Sequence, residues 1–122
     1  MYVPHNSNII LYTYLGQVNQ RWEIELDVIG NYTFTSIHEN RVMEAVNTEN
    51  GVFAQGVVGR TDELNQRWRI FNVNDVRNDR FEIREGDKGL ALSVIGTVGK
   101  GSAVGLAPYI GNNNDIWQIT EV

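Results

Sequence analysis

The chain has 122 residues, a net charge of −5, two lysines and no cysteine. That length suits one domain with an adequate core. The missing cysteines exclude disulfides and thiolate metal sites, and the acidic balance argues against a nucleic-acid backbone or an anionic membrane as partner. No apolar run approaches the roughly 18 residues of a membrane-spanning helix. Pro4, His5 and Asn6 stand where a leader peptide would need an apolar run. The chain is therefore expected to be cytosolic, or secreted with its leader removed.

Short apolar or alternating segments recur between Gly, Asn and Asp clusters, which predicts an all-β sandwich or barrel. No period-3.6 pattern lasts beyond two turns, and 12 glycines punctuate the chain. Met1 to Val3 reads as the tail of a strand and Asn6 to Asn8 as a turn. Ile9 to Tyr14 is a strand and Gly16 to Val18 a loop. Gln20 to Val28 is a strand closed by Gly30-Asn31. Tyr32 to Ile37 and Arg41 to Val46 are strands around His38-Glu39-Asn40. Val52 to Val58 follows the turn Asn47 to Gly51. Gly59 to Leu64 is a loop, Gln66 to Val73 a strand and Asn74 to Asp79 a polar turn. Arg80 to Arg84 and Leu90 to Ile95 flank the turn Glu85 to Gly89. Gly96 to Ser102 is a Gly-rich loop. Ala103 to Tyr109 and Ile116 to Val122 are the last strands, joined by Gly111 to Asn114.

One short stretch occurs three times. Asn19-Gln20-Arg21-Trp22-Glu23-Ile24 returns as Asn65-Gln66-Arg67-Trp68-Arg69-Ile70, and with Asp for Gln as Asn114-Asp115-Ile116-Trp117-Gln118-Ile119. These copies hold all three tryptophans, spaced by 46 and 49 residues (68 − 22 and 117 − 68). A period of this size signals a repeat architecture. Lobes of roughly 1–28, 29–74 and 75–122 are expected, within one domain over 1–122. In the second and third, a strand pair (Tyr32 to Val46, Arg80 to Val94) precedes the rest; the first lacks most of that pair. Three lobes of about 47 residues need about 140, so the first lobe is short at its N-terminus.

Three copies of Gln-x-Trp, or Asp-x-Trp, at this period resemble the ricin-B-like lectins, over Asn8 to Val122. The resemblance implies a β-trefoil, with the Trp and Ile of each copy in a shared core. A large apolar anchor on an alternating strand is also what the residues alone suggest for Trp22, Trp68 and Trp117. The resemblance further implies shallow sites for galactose- or N-acetylgalactosamine-type sugars. Each would use an acid after a Leu on the second strand, an aromatic on the third, and the Asn before the Gln. Carboxylates and amides suit hydroxyl pairs, and an aromatic face suits the C–H face of a pyranose.

Carried over residue by residue, the first lobe offers Tyr12, Tyr14, Asn19 and Gln20, without the acid. The second offers Glu44, Asn65 and Gln66, with Gln55 or Val58 near the aromatic's place. The third offers Tyr109, Asn114 and Asp115, with Ser93 where the acid belongs. Other roles fit the same residues. The asparagines could cap the loops that enter the Trp strands, Gln20 and Gln66 could brace those loops, and the tyrosines could be half-buried strand residues. The Leu26-Asp27-Val28-Ile29-Gly30 segment mimics Leu92-Ser93-Val94-Ile95-Gly96, but it follows its Trp and reads as the end of a strand.

His5 and His38 lack partners for metal or catalytic chemistry. No paired carboxylates suggest glycoside cleavage. Gly96 to Ser102 lacks the order of a phosphate loop and no helix follows it. The reading is a non-catalytic, cofactor-free, glycan-binding module. The alternative is a protein-interaction or protease-inhibitor trefoil, or an accessory subunit of a toxin or hemagglutinin complex. The short first lobe predicts a homo-oligomer, or a partner segment that completes it, because an open sheet edge invites pairing.

Overall fold

The computed structural model describes residues 9, 20–37, 40–61, 63–73 and 80–119. Within them lie nine antiparallel strands: β1 (Trp22–Leu26), β2 (Tyr32–Ser36), β3 (Val42–Thr48), β4 (Gly51–Val57), β5 (Trp68–Asn72), β6 (Arg80–Glu85), β7 (Ala91–Val94), β8 (Val104–Ala107) and β9 (Trp117–Gln118). One 3-10 turn, Leu64–Gln66, precedes β5. The expected all-β class is observed.

The sheet closes on itself. It runs β2-β3-β4-β8-β7-β6-β5 and returns to β2 through Tyr32 opposite Trp68. β1 pairs with β2, and β9 with β6. Closure removes the edges that an open sheet would present.

Local chemistry fixes the strand ends. The first Trp strand was expected to reach Val28 but stops at Leu26. The Asp27 carboxylate accepts the backbone N–H of Ile29 (2.9 Å) and of Asn31 (3.0 Å), which makes a turn of 27–31. The segment expected to finish a strand is thus the tip of the β1–β2 hairpin. The β3–β4 hairpin turns at Thr48, whose hydroxyl donates to the Gly51 carbonyl (2.8 Å); Gly51 sits at φ +125°, which a side chain would strain. Gln66 was expected in a strand but lies in the 3-10 turn, and β5 begins only at Trp68. There the chain first gains partners on both sides, Tyr32 and Glu85.

Alternation places the core. Met43 and Ala45 of β3 and Ala54 and Gly56 of β4 point inward, while Glu44, Val46, Phe53 and Gln55 alternate with them. Trp68 is completely buried and meets Phe34 edge-on, with ring centroids 6.3 Å apart. Ile83, Leu92, Val104, Leu106 and Ile9 complete the buried cluster. Trp22 and Trp117 pack against it, half-buried. All three tryptophans therefore serve one core.

Two recurring contacts carry the repeat into three dimensions. The Trp68 indole N–H donates to the Met43 carbonyl (3.2 Å), and the Trp117 indole N–H to the Leu92 carbonyl (2.8 Å). Each bond reaches back 25 residues. At the centre, the Ile9 N–H donates to the Ala54 carbonyl (3.1 Å), and the Ile9 carbonyl accepts the Val104 N–H (3.1 Å). β4 and β8 close the third side at Phe53 opposite Gly105. Gly105 is packed so tightly that a Cβ there would lie 2.6 Å from the Val52 carbonyl oxygen. Expected elements at 1–8, 10–18, 38–39, 74–79 and 120–122 lie outside the described residues.

Candidate functional site

The Gln66 side chain is buried at 1 % exposure and all its polar atoms are used. Its amide nitrogen donates to a Glu44 carboxylate oxygen (3.1 Å) and to the Gly59 carbonyl (3.1 Å), and its amide oxygen accepts the Thr61 N–H (2.7 Å). The 3-10 turn presents Gln66 inward, and the outward face of β3 presents Glu44. Gln55 stands directly across β4 from Glu44. The structure thus brings Glu44, Gln55 and Gln66 together, with the carboxylate half-buried and its geometry set by an amide. Asn65 lies beside them with its amide nitrogen 3.4 Å from the Ala45 carbonyl; its own oxygen is buried without a partner.

The corresponding place before Trp117 is built differently. Asp115, also 1 % exposed, accepts the backbone N–H groups of Ile110 (2.7 Å), Gly111 (3.1 Å) and Asn112 (3.0 Å). Asn114 donates to the carbonyls of Val94 (3.0 Å) and Gly96 (2.8 Å). Ser93, at the acid's place, is buried and donates to the Ala91 carbonyl (3.0 Å). This unit has no outward carboxylate to match Glu44.

Tyr109 is half-buried, and the Arg84 guanidinium lies over its ring at 4.9 Å. Burial chiefly pushes its hydroxyl pKa up; the charges of Glu82 and Asp115 add to this and Arg84 opposes it. One face of the ring is therefore occupied by a cation. Gln20 is buried, as Gln66 is. Tyr12, Tyr14, Asn19, His5 and His38 lie outside the described residues.

Sequence reasoning missed an aromatic on the face that carries Glu44 and Gln55. Phe53 lies two residues before Gln55 on the same strand face, opposite Val46. The signal was the two-residue alternation of Val52 to Val58, read together with the hairpin register. Among the described residues no group of three or more His, Asp or Glu could hold a metal ion.

No family model matches the chain, and no curated relative matches its sequence. Solved structures share its fold. It is similar to a designed 3-fold symmetric protein, ThreeFoil, at 24% identity and TM-score 0.80, covering 96% of this chain and 83% of that one. It is similar to a ricin B-like lectin of Macrolepiota procera, solved in complex with lactose, at 19% identity and TM-score 0.75, covering 92% and 78%. It also matches a mosquitocidal holotoxin at 18% identity and TM-score 0.81; the match covers 93% of this chain and 14% of the toxin. Closed sheet, core-packed Trp and these matches agree: the chain has a β-trefoil fold, which it shares with a ricin B-like lectin.

Proposed function

We propose that the chain is a non-catalytic glycan-binding module for galactose- or N-acetylgalactosamine-type sugars. One observation carries the reading. On a fold shared with a lactose-complexed lectin, the half-buried Glu44 carboxylate is held at 3.1 Å by Gln66 and faces outward beside Gln55. A carboxylate with a neighbouring amide takes a pair of sugar hydroxyls, and Phe53 and Val57 supply apolar surface on the same face. Asn65, Gln66, Asn114 and Asp115 act here chiefly as braces. Tyr109, with Tyr12, Tyr14, Asn19 and Gln20, offers weaker additional sites, so affinity accumulates through several lobes. A glycan array with the parent chain and Glu44→Gln tests this: galactosides bind the parent and lose most of their signal in the variant. Equal signal in both, or none in the parent, overturns it.

A second reading has its own support. Leu26, Val28 and Ile29 at the β1–β2 tip are 62%, 102% and 79% exposed. An apolar tip of this kind suits a protein partner, as in an inhibitor trefoil or an accessory toxin subunit. Protein capture lost on Val28→Ser and Ile29→Ser, with galactoside binding absent, would favour it.

We infer three lobes, approximately 1–28, 29–74 and 75–122, the first of them short. Among the described strands, β1 pairs only with β2 and β9 only with β6. An outer edge of β1 or β9 is where a strand from a second copy or from a partner segment would pair. A dimer in light scattering supports this, and a monodisperse monomer at high concentration contradicts it.

A further inference from the structure

A cleft of about 490 Å³ opens on the outward face of the β5–β6 hairpin. Its chemistry differs from that of the Glu44 site. Arg69 and Arg84 stand directly opposite each other in the strand register, and Phe71 stands opposite Glu82. Like charges across a strand pair are destabilising unless something lies between them. Arg84 is already committed. It bonds Glu82 (3.1 and 3.3 Å) and the Gly89 carbonyl (3.2 Å), and it lies over Tyr109. Glu85 is buried, and its carboxylate accepts the N–H groups of Asp87 and Lys88. Arg69 and Lys88 are exposed, and neither side chain has a polar partner among the described residues. Phe71, at 45 % exposure, lies between Arg69 and the chain's continuation on the same face.

Among the described residues, two cations and one carboxylate, Asp87, without polar side-chain partners therefore share a cleft with an exposed ring. We propose that this cleft binds an acidic saccharide, a pyranose carrying a carboxylate. The ligand carboxylate sits against Arg69 and Lys88, which offer charge-assisted donors. An apolar ring face lies on Phe71. Asp87 accepts a hydroxyl. A bare anion would leave Phe71 uncovered, and a neutral sugar would leave both cations unanswered. The inference rests on the glycan-binding reading but uses none of the residues of the Glu44 site.

The test is an isotope-labelled titration of the full chain with glucuronate, glucose, acetate and lactose, followed at backbone amides. Glucuronate should give saturable shifts at Arg69, Phe71, Lys88 and Gly89. Glucose and acetate should bind at least about tenfold more weakly, as expected for loss of one charge-assisted contact or of the apolar one. The double variant Arg69→Gln, Lys88→Gln should lose the glucuronate response by a similar factor and keep its lactose response at Glu44. Equal binding of glucose or acetate overturns the inference, as does a double variant that still binds glucuronate. A chain that binds lactose and ignores glucuronate refutes this cleft alone; one that ignores both refutes the glycan reading as well.

Discussion

In the loop before Trp68, a neutral amide ties the turn to β3; in the loop before Trp117, a carboxylate gathers three backbone N–H groups of its own loop. Both residues are 1 % exposed, and both indoles bond a carbonyl 25 residues upstream. The backbone task is the same, and the side chains that perform it are not. Gln66 has an N–H left for Glu44, so its brace also positions an outward carboxylate. Asp115 has only acceptors, and Ser93, which stands where the acid was expected, is buried. Equivalent positions can hold one fold and still differ in whether they build a ligand site.

The largest effect should come from the anchors. Trp68→Ala empties a fully buried site and should cost about 3–5 kcal/mol. That is a large part of a typical total of roughly 5–15 kcal/mol. Trp117→Ala, at a half-buried indole, should cost less. Urea midpoints measure both, and equal losses would blur the contrast between the two units.

The braces come next. Asp115→Ala strands three N–H groups and should cost about 2–3 kcal/mol, while Asp115→Gln should recover only part, because one amide oxygen cannot serve all three. Full recovery by glutamine would make the two braces interchangeable. Glu44→Gln should leave stability within about 1 kcal/mol and weaken galactoside binding by about tenfold or more, as isothermal titration would report. Asn114→Ala removes bonds of 2.8 and 3.0 Å and should cost about 1–2 kcal/mol. Asn65→Ala, with a single bond of 3.4 Å, should cost less than about 1 kcal/mol.

The smallest effect concerns charge. Arg60, bonded to Glu25 at 3.0 Å, holds that carboxyl below its ordinary value, first by the hydrogen bond and then by its charge. The folded value is depressed, so the contribution is present above the unfolded glutamate value and lost as pH falls through the folded one. In an NMR pH titration, Arg60→Ala should move Glu25 up toward its ordinary value. An unmoved titration would remove Arg60 as the cause.

The sequence made the anchors legible because a repeated Trp with flanking alternation is a local pattern. It made the all-β class legible through turn chemistry at regular spacing. It grouped Glu44, Asn65 and Gln66, and the structure joins two of them by a hydrogen bond, Gln66 to Glu44. It could not show that Gln66 is buried against Glu44, because that bond spans 22 residues and depends on the 3-10 turn. It took Leu26 to Gly30 for strand because Asp27's capping of its own turn competes with the apolar pattern. It missed the Arg69–Arg84 opposition, since the β5–β6 register, with Trp68 meeting Glu85, is not a local pattern. Phe53 was hidden by looking for an aromatic at one fixed position.

Lactose titrated into the labelled chain tests the central claim most directly. The amides of Glu44, Gln55 and Gln66 should shift together and saturate, and Glu44→Gln should weaken the response by about tenfold or more while the rest of the spectrum stays folded. A folded parent chain whose Glu44, Gln55 and Gln66 resonances ignore lactose would contradict the assignment of this hairpin as a sugar site.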